Sequence, residues 1–125
     1  MAIGIISVNH VNVTVPAALE TAAKHFYGVV LGLPQIPKPV GTRQNVGAWY
    51  QLGEIQLHLS IEDDVQNEVS GRHVCYQVAD LAAANLQFRS AGIDVIPDPR
   101  PVSGQSRCFV RDPGGNLIEI AQMTD

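Results

Sequence analysis

Charge is scarce in this chain, and positive charge scarcer still. Asp, Glu, Lys and Arg together make up 16% of residues, and 8 basic side chains face 12 acidic ones for a net charge of −4. A stripe able to neutralise a phosphate backbone cannot be assembled from that set, so nucleic acid is not an expected partner. Cysteine is limited to Cys75 and Cys108, outside any CxxC spacing. That excludes a disulfide framework, and both read as reduced thiols. No apolar run approaches the ~20 residues of a membrane-spanning helix, so no membrane association is expected. The start, Met1 to Ile6, lacks a basic residue and a small-residue cleavage site after a long apolar run, so no secretory leader is expected and the cytoplasm is the expected location. What is present is 125 residues, 46% of them hydrophobic, enough for one domain over residues 1–125 with one modest core.

The chain repeats itself. His10-Val11-Asn12-Val13-Thr14-Val15 and His73-Val74-Cys75-Tyr76-Gln77-Val78 both alternate apolar and polar residues, both begin with histidine and lie 63 residues apart. Such alternation marks a half-buried strand. After the first, Pro16 opens an amphipathic helix with apolar positions Leu19, Ala22, Ala23, Phe26 and Val30, and Gly32 stops it. After the second, Asp80 caps a helix carrying Leu81, Ala84, Phe88 and Ala91, with Gly92 at its end. Each helix leads into a proline-rich loop, Leu33 to Val40 and Ile93 to Val102, expected to cover one end of a sheet. Each half closes with a hairpin: Val46 to Leu52 turns at Gly53 into Ile55 to Ser60, and Arg107 to Val110 turns through Asp112-Pro113-Gly114-Gly115-Asn116 into Leu117 to Ala121. The order predicts an α+β fold of two βαβββ modules, about 4–61 and 72–123. The acidic stretch from Glu62 to Gly71 joins them as a solvated linker.

Strand side chains alternate between faces, so each strand divides into two sets. Val11, Val13, Val15, Ile55, Leu57, Leu59, Val74, Tyr76, Val78, Ile118 and Ile120 form faces expected beneath the helices. The opposite faces carry His10, Asn12, Thr14; Gln56, His58, Ser60; His73, Cys75, Gln77; and Glu119, Ala121. Gln56 follows His10 by 46 residues, and Glu119 follows His73 by the same 46. If the modules pack about a pseudo-twofold axis, His10, Gln56, His73 and Glu119 converge. Two imidazoles, a carboxylate and an amide oxygen suit one divalent transition metal (Zn, Ni, Mn, Fe or Co) better than Ca²⁺ or Mg²⁺, with positions left open for substrate. The competing explanation is a sheet with one wet face, on which alternate polar residues are ordinary solvent contacts. His58 lies on the same face and can line the pocket, or replace or supplement Gln56, because an amide is a weak ligand. His25, beside Lys24 on the helix, reads as a surface residue. An aromatic at Trp49 or Tyr50 can belong to the core or stack on a substrate. Arg107 or Arg111 can hold a substrate carboxylate or remain surface residues.

In this order the segments Val8-Asn9-His10-Val11-Asn12-Val13, Phe26-Tyr27 through Leu31-Gly32-Leu33, Ile55-Gln56-Leu57, Arg72-His73-Val74 and Asp112-Pro113-Gly114-Gly115-Asn116-Leu117-Ile118-Glu119 resemble the vicinal oxygen chelate superfamily. That family includes glyoxalase I, fosfomycin resistance transferases, methylmalonyl-CoA epimerase, extradiol dioxygenases and bleomycin resistance proteins. The resemblance spans nearly the whole chain. It implies half-barrel sheets built from paired modules, a homodimer, and His10, His73 and Glu119 as metal ligands with Gln56 in fourth place. Departures bear on the reaction: Thr14 stands where glyoxalase I carries an arginine for glutathione, and Gln56 replaces its glutamate. The expectation is a metal-dependent glyoxalase-like lyase, isomerase, epimerase or dioxygenase that binds a small substrate through vicinal oxygens and stabilises an enolate or oxyanion. Glu119 and His58 are the candidates for proton transfer. The alternative is a metal-free small-molecule or drug-binding protein of the bleomycin resistance type.

Overall fold

The computed structural model describes residues 1–100 and 103–123. Pro101 and Val102, the end of the second proline-rich loop, lie outside the described residues. Each half forms its own mixed four-stranded sheet. In the first, β1 (His10–Val15), β2 (Gln35–Ile36), β3 (Ala48–Leu52) and β4 (Ile55–Ile61) take the order β1-β4-β3-β2. In the second, β5 (His73–Gln77), β6 (Ile96–Pro97), β7 (Gln105–Arg111) and β8 (Leu117–Met123) take the same order, β5-β8-β7-β6. The strand pairs β1–β4 and β5–β8 are parallel, whereas both hairpins are antiparallel. The proline-rich loops that were expected only to cover a sheet end each contribute a two-residue edge strand, a length that limits further pairing at that edge.

The apolar faces predicted from sequence supply the core, although in β4 and β8 the opposite face is buried too, at His58, Glu119 and Ala121. Val15, Leu57, Leu59, Tyr76, Ile118 and Ile120 are buried and share one core cluster with Ala23, Phe26, Tyr27 and Phe88 from the helical segments. The first helical segment changes winding as it runs: a 3₁₀ turn at Ala17–Leu19, α1 at Glu20–His25, then a π turn at Phe26–Val30. Successive residues of a regular α-helix point about 100° apart. The wider turn accompanies two consecutive buried aromatics, Phe26 and Tyr27, with rings packed edge to face. The second helix, α2 (Leu81–Ser90), is regular, capped by Asp80 through Ala83 N–H at 3.0 Å and ended by Gly92 at φ +76°. Among the described residues, no helix is long and apolar enough to cross a membrane.

The joint between the halves is polar and specific. Tyr27 donates to Asp112 at 2.6 Å, Asn116 bridges Asp112 and the Thr14 carbonyl, and Asn67 reaches the Thr14 and Gly114 carbonyls. Gly114 lies so close to Val15 that a Cβ there would meet Cγ1 at 2.5 Å. The stretch expected as a solvated linker exposes Glu62, Asp63 and Asp64, but it also contains a 3₁₀ turn at Asn67–Val69 that pins it to this joint.

Candidate metal half-sites

The second sheet brings two of the expected ligands together. His73 Nε2 lies 3.2 Å from Glu119 Oε1. The glutamate is only 6% exposed, so its charge must be met by the protein or by a bound cation. Its Oε2 faces the Cys75 thiol at 3.3 Å, Gln105 Nε2 at 3.1 Å and Arg107 Nη1 at 3.7 Å. Partial burial, and after it the hydrogen bond to Glu119, pushes the Cys75 thiol up to about 11, so the sulfur is a protonated donor at neutral pH. Oε2 is thus held by neighbours, and Oε1 is the oxygen turned toward His73.

The far side of His73 decides what lies between these two groups. Nδ1 is 3.0 Å from the Gly71 carbonyl, an oxygen that can only accept, so Nδ1 carries the proton. In a neutral ring Nε2 then presents a lone pair to a carboxylate oxygen that also presents lone pairs. A cation, either a second proton or a metal ion, has to sit between them. His10 is arranged alike: its Nδ1 faces Asn9 Oδ1 at 2.8 Å, which leaves the lone pair on Nε2. Outer hydrogen bonds of this kind are how metal-binding histidines are oriented.

In the first sheet His10, His58 and Trp49 form a stack. The His58 ring lies 4.0 Å from that of His10 at 17° and 3.7 Å from that of Trp49 at 7°. Burial, followed by the charges of His10 and Lys38, lowers the His58 pKa, so this imidazole is neutral and its Nε2, 2.9 Å from Gln56 Oε1, donates to the amide. Trp49 therefore belongs to the polar face, whereas its neighbour Tyr50 is core.

Ladder register separates the two modules. His10 stands opposite Gln56 and Asn12 opposite His58, whereas His73 stands opposite Leu117 and Cys75 opposite Glu119. The parallel offset is 46 residues in the first sheet and 44 in the second. Equal spacing along the chain thus does not give equal rungs: His58, not Gln56, occupies relative to His10 the position that Glu119 occupies relative to His73. The expected four ligands fall into two pairs, one per sheet. Among the described residues no three His, Cys, Asp or Glu side chains gather to hold a metal.

Three contributors escaped sequence reasoning. Gln105 was placed before the strand, which was expected to start at Arg107, yet it donates to Glu119. Asp98, in a loop, fixes Arg107 Nε at 2.8 Å, and this pairing lowers the Asp98 pKa and raises that of Arg107. Cys75 was assigned to the polar face without a role. Of the two candidate arginines, only Arg107 approaches Glu119. Arg111 donates to the Gly115 carbonyl at the hairpin turn.

The sequence profile of the Glyoxalase/Bleomycin resistance protein/Dioxygenase superfamily matches residues 7–120, and the chain belongs to that superfamily. No match is found among curated protein sequences. Among solved structures, a glyoxalase family protein from Bacillus anthracis is similar at 30% identity and TM-score 0.86, covering 99% of this chain and 100% of that one. A lactoylglutathione lyase from Agrobacterium tumefaciens aligns at 21% identity and TM-score 0.72 over 95% of both chains. A mutant of the fosfomycin resistance protein FosX from Listeria monocytogenes, complexed with Mn(II) and 1S,2S-dihydroxypropylphosphonic acid, aligns at 14% identity and TM-score 0.80 over 97% of this chain and 95% of that one. The last two likenesses are of fold.

Proposed function

We propose that this protein is a metal-dependent enzyme acting on a small substrate through two vicinal oxygens, with a site made by two copies of the chain. His10 Nε2 and Gln56 Oε1 of one copy and His73 Nε2 and Glu119 Oε1 of the other are the ligands. The observation that carries this reading is the His73–Glu119 pair: two lone-pair donors aimed at one point, with the Nδ1 proton committed to Gly71. Two imidazoles, a carboxylate and an amide oxygen fit a first-row divalent ion such as Zn, Ni, Mn, Fe or Co. The Mn(II) in the FosX complex supports such an ion on this fold.

A homodimer would account for the division of the ligands, which among the described residues fall in pairs. It is supported by the apolar stretch just before His10, where Ile3, Ile5 and Ile6 are each at least 85% exposed. A divalent ion at this site supplies Lewis acidity toward the charge that develops on substrate oxygens. Around it, Gly71 and Asn9 fix the imidazole rings, while Gln105 and Cys75 donate to Glu119 Oε2. His58, with Nε2–H given to Gln56, retains a lone pair on Nδ1 and is with Glu119 a candidate proton acceptor. The reaction class is that of a lyase, isomerase, epimerase or dioxygenase.

The test is the metal content of protein purified without chelators, beside His73→Ala and Glu119→Ala variants checked for folding by circular dichroism. About one transition metal per chain, lost in folded variants, is expected. Metal-free protein whose melting temperature ignores added Mn(II), Zn(II), Ni(II) and Fe(II) would leave the drug-binding alternative.

A further inference from the structure

We propose that the substrate carries an oxyanion, a carboxylate or phosphonate, close to its chelating oxygens, and that Arg107 binds it. This inference rests on the metal-site reading above and specifies the substrate class of that site.

Arg107 sits in the middle of β7, and its guanidinium is anchored along one side. Nε donates to Asp98 Oδ2 at 2.8 Å and Nη2 to the Arg100 carbonyl at 2.8 Å. A guanidinium has five N–H donors in a planar fork, and these two bonds use the edge away from the site. Nη1 instead faces Glu119 Oε2 at 3.7 Å, too far for a good hydrogen bond, so among the described residues its donors have no close acceptor. Tying down the Asp98 loop needs only the anchored edge. The other edge is spare, rigid, and turned toward the carboxylate that holds the ion.

Phe109 completes this arrangement. Its ring lies 5.7 Å from the Arg107 guanidinium carbon on one side and edge-on to His73 at 6.0 Å on the other, so arginine and histidine are the two ends of one apolar wall. A molecule whose oxygens lie at His73 and Glu119 and whose body rests on Phe109 places its next substituent at Arg107. Charge agrees with this placement. Glu119 and Asp98 are negative, Arg107 and a divalent ion positive, which leaves one positive charge for a ligand to neutralise. Because Asp98 and Arg100 hold the fork in place, binding an oxyanion orders little that is not already ordered.

The experiment compares three probes on Mn(II)-loaded protein by isothermal titration calorimetry: 1,2-dihydroxypropylphosphonate, glycerate and 1,2-propanediol, which offers the same vicinal oxygens without the charge. Mn(II) affinity is measured first for the wild type, Arg107→Gln and Arg107→Lys. At least one anion is expected to bind the wild type about 10-fold or more tightly than the diol, a preference lost in Arg107→Gln and partly kept in Arg107→Lys. The stronger of the two anions identifies the oxyanion. A wild type with no preference, or a preference that survives in Arg107→Gln, overturns the proposal. If no form binds Mn(II), the metal reading fails, and Arg107 is then judged on metal-free protein by ¹⁵N NMR of its Nε–H during titration with methylphosphonate. A saturable shift supports an anion site at Arg107, and an unmoved resonance overturns it.

Discussion

Tyr27 donates its phenolic hydrogen to Asp112 at 2.6 Å, a bond that joins the helix of the first module to the hairpin turn of the second across 85 residues of chain. Both side chains are buried, and burial, then the carboxylate's charge, drives the Tyr27 pKa far above its ordinary value, so the phenol remains the donor at any working pH. Tyr27→Phe removes one donor from a buried carboxylate whose remaining side-chain partner among the described residues is Asn116. Such a loss is expected to cost about 1–3 kcal/mol in denaturant unfolding. An unchanged midpoint would show that the joint does not depend on this bond.

The strand that carries Trp49 enters through Gly47. Its φ is +72°, and a Cβ would meet the Leu59 carbonyl oxygen at 2.1 Å, so backbone rather than a yielding side chain blocks any larger residue. Gly47→Ala is expected to destabilise by about 2–4 kcal/mol. Gly53→Ala is the control: its φ is also positive, at +58°, but a Cβ there meets nothing within 4 Å. Thermal melts of the two variants should separate strain from collision.

Glu20 ties α1 to that same entry, accepting from Gly47 N–H at 2.8 Å and pairing with Lys24 at 3.1 Å. The Gly47 hydrogen bond, more than Lys24, lowers its pKa from the ordinary 4.5. A carboxylate with a depressed folded-state pKa adds stability that is present above the unfolded value and disappears as pH falls through the folded one. Wild type is therefore expected to exceed Glu20→Gln by about 1 kcal/mol at pH 7 and to converge with it as pH drops below 4.5. Urea unfolding across this range checks both the gap and its closing.

A site shared between copies makes a complementation test decisive. His10→Ala and Glu119→Ala each break every site in their own homodimers. In a mixed dimer both lesions fall in one site, and the other is intact. After unfolding and refolding an equal mixture, about a quarter of all sites should bind metal, against none for either variant alone. No recovery would overturn the shared site.

Gln56 and His58 can be told apart by magnitude. Removing an outer-sphere partner lowers metal affinity about 10–100-fold, and removing a ligand lowers it further. Gln56→Leu is therefore expected to weaken metal binding more than His58→Leu. The reverse order would make His58 the fourth ligand, as its rung opposite Asn12 allows.

Much of this architecture was legible because it is periodic. Alternation assigned Leu57, Leu59, Ile118 and Ile120 to the core, and the Asp80 cap, Gly92 stop and Gly53 turn sit where local chemistry put them. His73 and Glu119 meet as their shared face implied. Register was not legible: the 46-residue spacing counts loop residues as well as rungs, and a difference of two between the modules leaves no periodic trace. The Asp112 to Asn116 turn was read as a hairpin, and its side chains proved to join the modules, because hydrogen bonds such as Asn116 to Thr14 pair residues 102 positions apart. The Trp49–His58–His10 stack depends on strands lying side by side, which composition does not encode.

The Tyr27, Asp112, Asn116 and Asn67 joint shares no residue with either ligand pair. Cohesion and chemistry are thus assigned to different side chains of one small chain. The candidate ligands His10, Gln56, His73 and Glu119 lie outside the hydrogen bonds that fasten one module to the other. The two sheets share one strand order, and the turn of the second is the fastening that holds it to the first.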